Sequence, residues 1–129
     1  MAESKNLQSL WNQLVGEDLS GIVFVRDYLQ LQFNPPPQIN VYSSHVVVSA
    51  DGRSAKFGEE TFANLALSLI GKFVQDVKVD AQSFRILFAD ASEILISLRP
   101  EHYQGPEAVD FQGRDSQWAI LLENRHSVL

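Results

Sequence analysis

The densest run of chemically capable side chains in this sequence is Arg99-Pro100-Glu101-His102-Tyr103-Gln104-Gly105-Pro106-Glu107. A guanidinium suits a carboxylate in a forked pair, and a histidine or tyrosine beside it can donate a proton. One reading is a polar recognition or acid–base site in which Arg99 grips a carboxylate and His102 or Tyr103 donates. The other is structural: Arg99 pairs with Glu101 or Glu107 and holds the segment against a sheet edge. Pro100 forces Arg99 into extended backbone, which projects its side chain over the start of the following loop. Internal pairing is the expectation carried forward, and Arg99→Ala should then loosen the loop. The binding candidates are Arg99, Glu101, His102, Tyr103 and Glu107, and no catalytic residue is assigned.

Other constellations are weaker. Asp76 and Asp80 lie four apart in a strand-like run and share a face, but Lys78 points the same way, which reads as a solvated face. His45, His102 and His126 have no histidine or cysteine at ligand spacing, so no metal is expected, and His45 is expected on a strand surface. The glycines are isolated, so no loop can gather several backbone N–H groups around a phosphate, and no cofactor is expected. The absence of cysteine excludes disulfides, thiolate metal sites and a thiol nucleophile.

These residues need a frame. Leu7, Leu10, Trp11, Leu14 and Val15 repeat at helical spacing, and Gly16 ends that helix. Phe62, Leu65, Ala66, Leu69 and Ile70 repeat the pattern, and Gly71 ends it. Leu67 makes the second helix apolar on more than one side, so deeper burial is expected there. Strands are expected over 19–25, 28–33, 39–49, 54–57, 73–79, 84–88, 94–98 and 118–122, with Asp51-Gly52 marking a hairpin. Residues 100–117 read as an irregular loop and 124–129 as a frayed tail. Val46-Val47-Val48 suggests an edge or a two-sided apolar strand, which favours self-association as a homodimer.

Shifted by 55 residues, the chain matches itself without gaps. Leu10, Leu14, Gly16, Phe33 and Ile39 fall on Leu65, Leu69, Gly71, Phe88 and Ile94. Duplication of 7–44 as 62–99 and the shared phasing of any two such units both fit. The expected fold is α+β in one domain, 1–129: two pseudo-symmetric helix-plus-three-strand units in a mainly antiparallel sheet with the helices packed on it.

The run Ser97-Leu98-Arg99-Pro100-Glu101 followed by Tyr103-Gln104-Gly105-Pro106-Glu107-Ala108 resembles a group of short, uncharacterised bacterial proteins. The likeness spans Phe84–Phe111 and carries no activity. That group has glycine after the turn aspartate, where this chain has Ala91 after Asp90. Alanine resists positive φ, so a type I turn is expected there.

The chain has 129 residues and a formal charge of −6, with its ten basic residues scattered. Nucleic acid and anionic membranes need a concentrated cationic face and are not expected partners. The N-terminus has no signal-peptide pattern, which suggests the cytoplasm. The functional expectation is a small non-catalytic binding or regulatory module, of immunity-protein type, that meets another protein or itself. The alternative is a small enzyme or ligand-binding protein with a polar site at Arg99–Glu107.

Overall fold

The computed structural model describes residues 8–115, 117–122 and 125–128, with 122 and 125–128 described by backbone alone. Helix α1 covers residues 8–12 and is followed by β1 (Gly21–Val25), β2 (Tyr28–Gln32), β3 (Gln38–Val41), β4 (His45–Val48) and β5 (Ser54–Lys56). Then come α2 (Phe62–Leu67), β6 (Val74–Val79), β7 (Ser83–Phe88), β8 (Glu93–Ser97), a 3-10 turn (Pro100–His102), β9 (Val109–Gln112), β10 (Trp118–Leu122) and β11 (Arg125–Val128). All strand pairings are antiparallel and form two sheets, ordered β1-β2-β3-β9-β10-β11 and β5-β4-β8-β7-β6.

The expected arrangement of helices packed on one sheet is therefore wrong: the described residues are mostly β, in two sheets with two short helices. Length gives the reason. Helix α2 is six residues, about 9 Å, whereas a five-stranded sheet is roughly 20 Å across. The sheets bury each other's apolar faces instead. Leu29, Leu31, Ile39 and Phe111 of one join Val47, Phe84, Ile86 and Ile94 of the other in a single core. Trp11 of α1 meets Phe84 and Phe111 edge-on at centroid distances of 5.4 and 5.0 Å, so this helix seals the boundary between the sheets. Leu67 is 46% exposed; the expected deeper burial of the second helix does not extend to it.

Each sheet draws on both halves of the chain. Tyr42, Ser43 and Ser44 interrupt the strand expected over 39–49, so β3 stays in one sheet and β4 crosses to the other. Inside the expected loop 100–117, β9 returns to pair with β3, with Val109 and Phe111 buried and Asp110 and Gln112 half-exposed. The expected tail holds β11. A second crossing joins the ends of α1 and α2 around an antiparallel Asp18–Phe73 bridge. Gly16 N–H donates to Val74 O at 2.9 Å and Gly71 N–H to Leu19 O at 2.8 Å. Leu19 N–H donates to Lys72 O at 3.0 Å and Val74 N–H to Glu17 O at 2.9 Å. These are two pairs of bonds, each related by the 55-residue offset of the sequence match.

Strand β4 lies between β5 and β8, so Val46-Val47-Val48 is not an edge. Val47 is buried in the core, and Val46 and Val48 are half-buried on the outer face. Among the described residues no helix is long and apolar enough to cross a membrane.

Candidate functional site

Antiparallel register puts alternate residues of β2, β3 and β9 on the outer face of the six-stranded sheet. Gln30 lies opposite Asn40, which lies opposite Asp110. This face is polar because its apolar alternates fill the core. The amides are linked: Gln32 Nε2 donates to Gln30 Oε1 at 2.9 Å, and Gln30 Nε2 donates to Asn40 Oδ1 at 3.1 Å. At the end of the face, Tyr28 and Tyr42 meet with ring centroids 5.1 Å apart.

Those two rings form one wall of a cleft of about 780 Å³. The opposite wall is the segment after the 3-10 turn, with Tyr103 and Glu107, and Phe57 contributes from beyond β5. Arg26 and Asp27, the two residues joining β1 to β2, lie at the rim with Glu101 and His102.

Of the five residues expected to form a site, Glu101, His102, Tyr103 and Glu107 line this one cleft. Arg99 does not. Its Nε lies 3.1 Å from Glu101 Oε2, with both side chains about half exposed. A surface pair of this kind adds little stability. The segment is anchored instead through His102. Its carbonyl accepts the Ser44 N–H at 3.0 Å and the Ser43 hydroxyl at 3.3 Å. Its Nδ1 lies 2.6 Å from Ser97 Oγ, which also accepts the Arg99 N–H at 3.1 Å. The backbone of His102 thus fastens the turn to the crossing between β3 and β4, and its ring fastens it to the end of β8. Tyr103 packs partly buried against the core.

Burial and the nearby Asp110 raise the pKa of Glu107. Burial also raises Asp110, outweighing hydrogen bonds from Gln112 and Asn40 that lower it. Tyr42 is raised by burial first, then by the charges of Asp110 and Glu107. Asp110 Oδ1 is buried with no hydrogen-bond partner among the described residues. The surroundings of Glu107 and Asp110 therefore disfavour negative charge, a pattern common at functional positions.

His102 also borders a second hollow of about 360 Å³ with His45, Lys56 and Leu95. His45 is 1% exposed. Its Nδ1 lies 2.9 Å from Ser43 O, its ring stacks on Phe57 at 4.6 Å, and its Nε2 is buried without a partner among the described residues. Expected at a strand surface, it lies in the interior because it begins β4 on the core-facing phase. The carboxylates of Asp76 and Asp80 are used locally. Asp76 accepts the Val77 N–H, and Asp80 accepts the backbone N–H groups of Gln82 and Ser83. The side chain of His126 lies outside the described residues. Among the described residues no cluster of three or more histidines or carboxylates could hold a metal ion.

Tyr28, Tyr42, Phe57 and Asp110 carry no sequence signal that marks them as neighbours of this segment, since β2–β3–β9 pairing and the return from β5 bring them to residues 101–107. Comparison with protein families, curated proteins and solved structures returns no match.

Proposed function

We propose that this protein is a small non-catalytic binding module that captures another protein through the cleft between the Tyr28–Tyr42 wall and residues 101–107. The carrying observation is the cleft itself. It is built from parts of both halves of the chain, is rich in tyrosine, and is anchored through His102 rather than left as a loose loop. Aromatic residues in a preformed hollow are the usual anchors of protein recognition. On this reading the protein works in the cytoplasm, of the immunity-protein type in size and class, with neither nucleic acid nor membrane as partner.

A photo-crosslinking residue at Gln104, in extract of the native cells, tests this. A discrete protein adduct is expected that is absent when the crosslinker stands at Asp76 and is lost when Tyr28→Ala is added. No protein adduct at Gln104, or the same adducts from both positions, would refute the reading.

One contact favours a second reading, a small enzyme. Ser97 Oγ and His102 Nδ1 are 2.6 Å apart, within reach for activating a hydroxyl. Among the described residues, however, no hydrogen bond to a third group orients the other nitrogen of His102. Turnover of ester substrates that disappears in Ser97→Ala would favour this reading.

A further inference from the structure

We infer that the cleft receives a cationic side chain, a guanidinium or ammonium group, presented by a basic partner protein. This rests on the binding-module reading and names what the module recognises.

Geometry comes first. Tyr28, Tyr42, Tyr103 and Phe57 line one hollow, and the Tyr28 and Tyr42 rings stand 5.1 Å apart at an interplanar angle of 49°. Aromatic faces carry negative quadrupole density, and rings gathered around one space hold a cation well, arginine most often. A neutral apolar group would gain area against these rings but would leave the carboxylates beside them unanswered.

Charge comes second. Asp27, Glu101 and Glu107 face the cleft against Arg26. Glu101 is already matched by Arg99. Neither Glu107 nor Asp110 takes part in an ion pair among the described residues, and Asp110 Oδ1 is buried without a donor. Glu107 lines the cleft among the tyrosine rings without an ion-pair partner, and Asp110 lies behind it outside the lining, so a cation placed in the cleft completes the arrangement at Glu107. A guanidinium also supplies five N–H donors in a fork suited to a carboxylate and a planar surface suited to stacking on a ring. The net charge of −6 extends the same preference to the rest of the partner by long-range attraction.

The amide face leading out of the cleft suits the polypeptide that would carry the cation. Gln30 and Gln32, half-buried side by side on this face, offer donors and acceptors, so a peptide presenting the basic side chain finds hydrogen-bond partners beyond the pocket.

Hexa-arginine, hexa-glutamine and hexa-glutamate peptides serve as probes in titrations of the full chain, followed by amide chemical shifts at 0.15 M salt. Hexa-arginine is expected to bind, with shifts concentrated at Tyr28, Tyr42, Tyr103 and Glu107, and the other two peptides are not. Glu107→Gln and Tyr42→Leu should each weaken binding at least tenfold. Asp76→Asn, which removes the same charge from an edge strand of the other sheet, should change it less than twofold. A melting curve for each variant confirms that it is folded, and Tyr42→Phe, which keeps the ring, should bind nearly as well as the native chain.

Absent hexa-arginine binding, or binding that Asp76→Asn weakens as much as Glu107→Gln does, would overturn the inference. If Gln104 crosslinks a partner that Tyr28→Ala releases but Glu107→Gln does not, the cleft is a docking site without cation recognition. In that case only this inference fails.

Discussion

At the scale of single residues, His45 sits in surroundings that oppose its charged form. Burial lowers its pKa, and the backbone contact with Ser43 only partly offsets this. Phe57 stacks on its ring and Phe62 meets it edge-on at 5.2 Å. A histidine with a lowered folded-state pKa binds its proton more readily when the chain is unfolded. Stability is therefore full above the ordinary value of about 6.5 and falls as pH drops from there through the lowered folded-state value. Urea denaturation between pH 7.5 and 5 should show this decline, and His45→Phe should flatten it. An equal decline in His45→Phe would assign it to other groups. Because Phe57 belongs both to the His45 stack and to the cleft, protonation of His45 should disturb the cleft as well. Little of this was legible in the sequence. His45 looks like a surface residue beside three valines, and its burial follows only from which face of β4 meets the core.

At the scale of elements, two hairpins solve one problem with different residues. In each, a five-residue span is closed by two hydrogen bonds. Gly52 N–H donates to Ser49 O at 3.0 Å and Ser49 N–H to Arg53 O at 2.8 Å. Ala91 N–H donates to Phe88 O at 3.1 Å and Phe88 N–H to Ser92 O at 2.9 Å. The fourth residue takes positive φ in both, +92° at Gly52 and +76° at Ala91. The expectation that alanine would keep this loop out of positive φ is therefore wrong. The closing bonds require it, and the loop around Asp90 is otherwise well held. Hydrogen bonds from Lys72 and Ser92 pull the Asp90 pKa down to about 2. Alanine in the left-handed region is strained by roughly 1–2 kcal/mol, part of which glycine loses again through its freer unfolded chain. Ala91→Gly should raise stability by about 0.5–1 kcal/mol, and Gly52→Ala should lower it by a similar amount. Chemical denaturation checks both, and a destabilised Ala91→Gly would contradict the strain argument. The same scale explains what the sequence showed and hid. The alternation of Leu29, Leu31 and Phe33 with glutamines is long enough to read as β2. Val109-Asp110-Phe111-Gln112 alternates just as cleanly, but for four residues only, between a Pro/Gly-rich stretch and a turn. The break at Tyr42–Ser44 is hidden by the β-branched residues on either side of it.

At the scale of the whole molecule, the strand exchange ties the two halves together. The first half supplies β1, β2 and β3 to one sheet and β4 and β5 to the other, and the second half supplies the remainder of both. The cleft inherits this: Tyr28, Tyr42 and Phe57 come from the first half, Tyr103 and Glu107 from the second. Segment 101–107 was legible as a candidate because its polar side chains are adjacent in sequence. The aromatic wall was not, because only the exchange brings it there. Separated after Gly58, each half would leave apolar faces of β3, β4, β8 and β9 without partners, along with unpaired backbone groups along those strands. Neither fragment, 1–58 or 59–129, should show a cooperative thermal transition alone. The intact chain should melt in one transition, with far-ultraviolet circular dichroism and tryptophan fluorescence superimposing, since Trp11 touches both sheets. A cooperative transition in either isolated fragment, or two separate transitions in the intact chain, would show that the halves are independent units. A cleft assembled by that exchange should also lose its ligand at the same temperature or denaturant concentration at which the sheets come apart, and not before.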